Sequence, residues 1–213
     1  MTMMNIPEKT IERLSEYRRT LISCDKQGIS HVFSHVLAGF HGITAVQVRR
    51  DLMLIGFSSD TKKGYDVKVL IKFISDILDS REPINMAVIG MGHLGQAITK
   101  YFNGKRLKLR IVAAFDIDPD KVGKEVMGIP CYDMKEFEEI AENNDINIVV
   151  LSSPTSAAAG LVVPIINAGI KGVLNFTSMP LNFPKGIIVE NYDITTLLEK
   201  VAYFVKESEE NNL

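Results

Sequence analysis

The sequence predicts an α/β chain of two domains, a small helical N-terminal domain followed by a larger one built on a parallel sheet. Three observations carry this. Up to about residue 80, apolar residues recur at helical spacing in short stretches separated by glycine or polar residues. Asp79-Ser80-Arg81-Glu82-Pro83 is polar and ends in proline, which suits a linker. Beyond Ile84, short unbroken apolar runs alternate with helical patterns, as expected of parallel strands covered by helices on both faces.

In the N-terminal domain, Ile11, Leu14, Tyr17, Leu21 and Ile22 mark one face of a helix opening at Pro7. Val32, Phe33, Val36, Leu37 and Phe40 predict a second, short helix from about Ser30, with its turn between Gly39 and Gly42. A third begins at once: Thr44 and Gln47 have capping-box spacing, and Val48, Leu52 and Ile55 form an i, i+4, i+7 apolar stripe. Two short helices joined by a glycine-containing turn suggest a helix-turn-helix. Periodicity lapses between Gly56 and Gly64, a polar stretch with Lys62 and Lys63 that fits a small hairpin or wing, and Val67, Leu70, Ile71, Ile74 and Ile77 then resume a helix.

In the second domain the runs Met86–Ile89, Leu109–Phe115, Ile146–Leu151, Gly172–Phe176 and Ile187–Val189 read as strands. A helix is expected from His93, and an alanine-rich one follows Leu151. Ile194, Leu197, Leu198, Val201 and Phe204 mark a last helix before an acidic tail.

Composition narrows the function classes. With 46% apolar and 23% charged residues, the 213-residue chain has the makings of a folded core. Its net charge of −2 excludes a wholly basic nucleic-acid coat but leaves room for a local basic face. The first 80 residues carry 11 Lys and Arg against 9 Asp and Glu, and the rest carry 13 against 17. Cys24 and Cys131 are too few for a disulfide framework, which fits a reducing cytoplasm. No basic start followed by an apolar stretch and no membrane-length apolar run occurs, so neither export nor membrane insertion is expected.

Gly90-Met91-Gly92-His93-Leu94-Gly95 directly follows a predicted strand and leads into a helix, the context of a dinucleotide fingerprint in a Rossmann-type domain. The first glycine permits the tight turn, the second lets backbone approach a pyrophosphate, and the third lets helix and strand pack closely. Asp116 ends the next strand, where a carboxylate accepts hydrogen bonds from the adenosine ribose and repels a 2′-phosphate, favouring NAD(H) over NADP(H). Coenzyme A or another nucleotide remains an alternative ligand. Ser152, Ser153, Pro154 and Thr155 stand at a strand's carboxyl end, either lining the cofactor site or capping the next helix. No acid–base group or substrate domain accompanies the glycine loop, which argues against catalysis.

On the third helix, Val46, Gln47, Arg50, Met53 and Leu54 lie opposite the apolar stripe, with Arg49 at its flank. Arginine and glutamine can read base edges in a major groove, although an ordinary solvated helix face has the same charges. Exposed Met53 and Leu54 ask for a partner. His31 and His35, four apart on the second predicted helix, lack the accompanying ligands of a metal site, and none is predicted.

Several stretches together resemble the Rex family of redox-sensing transcriptional repressors. They are Ile6-Pro7, Gln47-Val48-Arg49-Arg50-Asp51-Leu52, Gly64-Tyr65, Val88 through Gly95, Phe115-Asp116-Ile117-Asp118, Ala168 through Gly172, and Leu174-Asn175-Phe176. The resemblance implies a winged helix over residues 1–80, a Rossmann domain over 84–191 and a terminal helix over 192–208 that swaps between the subunits of a homodimer. It implies a repressor that holds a palindromic operator when NAD+ dominates and leaves it when NADH binds. By the same resemblance the dinucleotide meets Gly90, Met91, Gly92, His93, Leu94, Gly95, Asp116, Ile117, Ser152, Ser153, Pro154, Asn175 and Phe176. DNA meets Thr44, Val46, Gln47, Arg49 and Arg50 of the recognition helix and Lys62, Lys63 and Tyr65 of the wing. Arg19, Tyr101 and Asp193 align with positions whose polar contacts change between the two states. The wing departs from the family pattern: Ser59 and Lys62 replace customary glycines. A small NAD-dependent oxidoreductase is the alternative function.

Overall fold

The structure is a computed structural model that describes residues 6–58, 63–102 and 108–210. The chain divides into two compact units, Met1–Arg81 and Glu82–Leu213.

The first unit holds α1 (Glu8–Lys26), β1 (His31–Val32), α2 (Ser34–His41), α3 (Ala45–Leu54), β2 (Tyr65–Asp66) and α4 (Val67–Leu78). Pro7 caps α1, its carbonyl accepting from the N–H groups of Thr10 and Ile11. Thr44 caps α3 by accepting the Gln47 N–H at 3.1 Å, and Asp66 caps α4 by accepting that of Val69 at 2.9 Å. The stripe Val48, Leu52 and Ile55 is buried against Leu14, Tyr17 and Leu21 of α1, Leu37 of α2, and Leu70 and Ile74 of α4. Each such buried aliphatic stabilises the unit by roughly 1.5–3 kcal/mol.

The second helix begins four residues later than its apolar spacing predicts. His31 and Val32 are instead a short strand, antiparallel to Tyr65 and Asp66. Val32 is core in either conformation, so periodicity alone does not separate them; the deciding factor is the partner strand, 33 positions away in the chain. That partner comes close because Gly64 has φ +83 and no Cβ, which would sit 2.8 Å from the Val32 carbonyl oxygen. His31 therefore does not share a helix with His35, and no metal-ligating cluster exists among the described residues. The turn ending α2 is made by Gly42 in the left-handed region, with Gly39 inside the helix.

The second unit runs β3 (Ile84–Ile89), α5 (His93–Phe102), β4 (Leu109–Asp116), β5 (Glu125–Val126), β6 (Ile129–Asp133), α6 (Phe137–Asn143), β7 (Ile146–Leu151), α7 (Thr155–Ala158), α8 (Val162–Asn167), β8 (Gly172–Asn175), β9 (Ile188–Asn191) and α9 (Ile194–Glu210). The sheet order is β5-β6-β4-β3-β7-β8-β9, parallel except for the β5–β6 hairpin. Without β5 this is a doubly wound dinucleotide order, whose crevice opens outside the carboxyl ends of β3 and β7. The sequence reading missed β5, β6 and α6. The hairpin turns on Met127 and Gly128, both at positive φ, and Pro130 interrupts the apolar run that would mark β6.

None of the described residues of α9 is buried, and Leu197, Leu198, Val201 and Phe204 are all more than half exposed. No helix among the described residues is long and apolar enough to cross a membrane.

Candidate functional site

The carboxyl ends of β3, β4 and β7 surround a cleft of about 540 Å³ lined by Gly90, Gly92, His93 and Leu94 of the glycine loop, with Asp116, Lys121 and Ser152 through Pro154 among others, while Met91 and Gly95 lie behind that surface. Two glycines are there because a side chain would not fit. A Cβ on Gly90, which has φ +93, would lie 2.7 Å from the Ser153 nitrogen, and one on Gly95 would lie 2.1 Å from the Gly90 carbonyl oxygen. A Cβ on Gly92 meets nothing within 4 Å, so this position opens onto free space, as close approach of a phosphate requires. His93 and Leu94 begin α5 at the cleft, where the positive end of the helix dipole favours an anion.

Met91 is fully buried, and its N–H donates to Asp116 Oδ2 at 2.8 Å. Asp116 also accepts from the N–H groups of Ile117 (2.8 Å) and Asp118 (3.0 Å) and from the Lys121 ammonium (3.1 Å). Burial pushes the Asp116 carboxyl up, but the Asp118 and Met91 N–H groups, Lys121 and the Ile117 N–H outweigh it and hold the group below its ordinary range. Lys121 lies five residues beyond the strand end and went unnoticed in the sequence; its place three residues after Asp118 is the local signal that could have found it.

Ser152 does not cap a helix. Its hydroxyl donates to the Gly90 carbonyl at 2.8 Å and so braces the loop. The Ser153 hydroxyl is buried without a hydrogen-bond partner, and α7 is capped by Pro154 with no side-chain bond. An unpaired hydroxyl in a cleft wall is costly unless a ligand completes it. The free space at Gly92, the orphaned Ser153 hydroxyl and the Asp116 carboxylate together fit a dinucleotide.

Asn175 and Phe176 stand at the end of β8 and do not line this cleft. Asn175 is fully buried and donates to Met179 O and Asn191 Oδ1 while accepting from Thr177, and the Phe176 ring stacks on Tyr192 at 5.3 Å.

On the first unit, Arg49, Arg50, Val46, Met53 and Leu54 are exposed on α3, Met53 at 73%. Arg49 reaches Ser34 at 3.1 Å. The Gln47 amide donates to Asp51 Oδ1 at 2.9 Å. Tyr65 is 6% exposed and packs edge-on to Phe57. Burial pushes its phenol up, and the Arg49 charge partly opposes this. Thr44 is spent on its cap, Lys63 is exposed, and Lys62 lies outside the described residues.

The sequence reading also missed Asp51, 2% exposed at the buried edge of α3. Arg13 forks onto both of its oxygens at 2.7 Å, and the Tyr17 hydroxyl donates at 2.8 Å. Of the remaining residues singled out, Arg19 and Tyr101 are exposed, and Asp193 accepts from Thr195 N–H and the Thr196 hydroxyl at the start of α9.

Comparison with known proteins adds the family. The model described as "CoA binding domain" matches residues 81–179, and the one described as "Putative DNA-binding protein N-terminus" matches residues 5–52. The redox-sensing transcriptional repressor Rex of Lactobacillus acidophilus is 34% identical over 99% of this chain and 100% of its own. That of Listeria welshimeri is 36% identical over 94% of each.

The chain belongs to the Rex family of redox-sensing transcriptional repressors.

Among solved Rex-family structures, RSP in complex with β-NADH has a TM-score of 0.84 at 30% identity, covering 98% of both chains. RSP with β-NAD+ and operator DNA has a TM-score of 0.88 at 30% identity, covering 97% of this chain and 95% of that one. The Rex relatives are named as repressors, so the oxidoreductase alternative gives way.

Proposed function

We infer that this protein is a DNA-binding transcriptional repressor that senses the NADH/NAD+ balance, catalyses no reaction and leaves its operator when NADH binds. The observation that carries the reading is the full-length likeness to RSP, a Rex-family repressor solved both with NADH and with NAD+ and operator DNA. The pyrophosphate sits over Gly90 to Gly95 at the start of α5, and the adenosine ribose on Asp116. Arg49 and Arg50 of α3 contact the operator with Val46 and Thr44 beside them, and Lys62 and Lys63 supply the wing's charge.

The working form is a homodimer in which α9 swaps between subunits. Its exposed apolar face, Leu197, Leu198, Val201 and Phe204, needs a cover, and a second copy provides one. A two-fold dimer presents two recognition helices to a palindrome, with half-sites about 34–36 Å or a multiple apart. The domains are residues 1–80, 84–191 and 192–208, and an operator-binding protein works in the cytoplasm. Arg19, Tyr101 and Asp193 exchange charge-assisted hydrogen bonds as the dimer changes arrangement.

Fluorescence anisotropy of a labelled palindromic duplex tests the reading. NADH is expected to release the duplex and NAD+ to leave it largely bound, because a ligand shifts two states only by its differential affinity for them. Coenzyme A, included because of the family match over 81–179, is expected to do nothing. DNA affinity indifferent to NADH would sink the sensor.

Three substitutions extend the test. Arg50→Ala should weaken operator binding by about 1–3 kcal/mol and blur preference at one base pair if Arg50 reads a base, or lower affinity for all sequences and flatten the salt dependence if it contacts phosphate. Specific binding that survives both Arg49→Ala and Arg50→Ala at physiological salt would remove α3 from the interface. Asp116→Ala should weaken NADH and relax rejection of NADPH, and calorimetry showing neither change would remove Asp116 from the ribose site.

A further inference from the structure

We propose that Lys121 is a resident counter-ion that occupies the Asp116 carboxylate until a ribose displaces it, and thereby sets how strictly the cleft rejects a 2′-phosphate. The inference rests on the dinucleotide reading above. An ionised carboxylate offers about four acceptor positions. In Asp116 they are taken by the N–H groups of Ile117, Asp118 and Met91 at 2.8, 3.0 and 2.8 Å and by the Lys121 ammonium at 3.1 Å. Three of these donors are backbone, fixed by the glycine loop and by the turn after β4.

Lys121 is the donor that can move. Its ammonium lies 3.1 Å from Asp118 Oδ2 as well, so it can release Asp116 and keep an ion pair. It also lines the cleft, where an incoming nucleotide meets it. A ribose hydroxyl donating to Asp116 takes the place the ammonium vacates, so the lysine competes with NADH. Toward NADPH the same charge works the other way. Asp116 and Asp118 repel a 2′-phosphate, and the ammonium between them offsets part of that repulsion. Removing it should strengthen one ligand and weaken the other.

Titration of the full-length protein with NADH and with NADPH, followed by nicotinamide fluorescence, tests this. Lys121→Met should tighten NADH a few-fold and weaken NADPH, widening the ratio of their Kd values by about tenfold, the scale of one short charge contact in a partly solvated site. Lys121→Arg, which restores the charge, should bring the ratio back toward that of the wild type, and high salt should shrink the difference between the two variants. An unchanged ratio in Lys121→Met overturns the proposal. So does a larger loss for NADH than for NADPH, which would make Lys121 a direct ribose ligand. A wild type that binds neither nucleotide is a different failure, because it overturns the dinucleotide reading itself.

Discussion

Replacing Asp51 with alanine should cost the N-terminal unit about 3 kcal/mol of stability, the lower end of what breaking a buried ion pair costs. The lower end applies because the Arg13 side chain, which loses its partner, is 22% exposed and can recover some hydration. The Tyr17 hydroxyl, buried and bonded to the same carboxylate at 2.8 Å, has no such recourse. Because Arg13 and Tyr17 belong to α1 while Asp51 and Gln47 belong to α3, the loss should also loosen the helix that carries Arg49 and Arg50. Operator affinity should therefore fall although Asp51 itself faces inward. Urea unfolding together with duplex anisotropy checks both, and a loss below about 1 kcal/mol would show that the fork contributes little.

The same carboxylate sets an acid sensitivity. Burial pushes Asp51 up, but the bonds from Arg13, Tyr17 and Gln47 outweigh it and leave the group below its ordinary range. A carboxylate whose value is depressed by folding stabilises above its unfolded value near 4, and that contribution disappears as pH falls through the lower folded value. Tyr17 moves the opposite way, raised first by burial and then by Asp51, so its contribution holds at neutral pH and is lost only under strongly alkaline conditions.

What the sequence made legible follows from local physics. The glycine loop, Asp116 and the apolar runs of β3, β4 and β7 depend on neighbours within a few residues, and their patterns survive reading in one dimension. Elements that depend on distant partners did not. β1 is a strand because Tyr65 and Asp66 pair with it, and β6 is one because β4 lies alongside, despite Pro130. The charged residues were missed for a different reason: nothing local marks Asp51 as the partner of Arg13 or Lys121 as that of Asp116 until folding brings each pair together. Tyr65, beside a glycine in a polar stretch, reads as exposed, yet its ring meets Phe57 in the core. Gln47 has the spacing of a base reader, and the bond from its amide to Asp51 one turn on is a second role that this spacing does not announce.

The glycine loop supports the sharpest comparison, between two substitutions three residues apart. Gly95→Ala places a methyl 2.1 Å from the Gly90 carbonyl oxygen and 2.8 Å from the Ser152 hydroxyl, which is itself bonded to that carbonyl. No rotamer relieves a backbone clash, so α5 must move away from the end of β3. The Thr99 hydroxyl, bonded to the Gly95 carbonyl at 2.8 Å, is carried along. Overpacking of this kind costs about 1–3 kcal/mol or more in the second unit. NADH binding should be lost with it, since the amides at the start of α5 would no longer point where the proposed pyrophosphate site lies. Gly92→Ala meets no atom within 4 Å and requires no left-handed φ, so its melting temperature should stay close to that of the wild type. Its methyl nevertheless projects into the space that a phosphate needs, and NADH affinity should fall without any loss of fold. Thermal unfolding beside NADH fluorescence separates the two. A Gly95→Ala protein with wild-type melting and affinity would show that the loop yields freely, and a Gly92→Ala protein with undiminished affinity would mean that the dinucleotide approaches by another path.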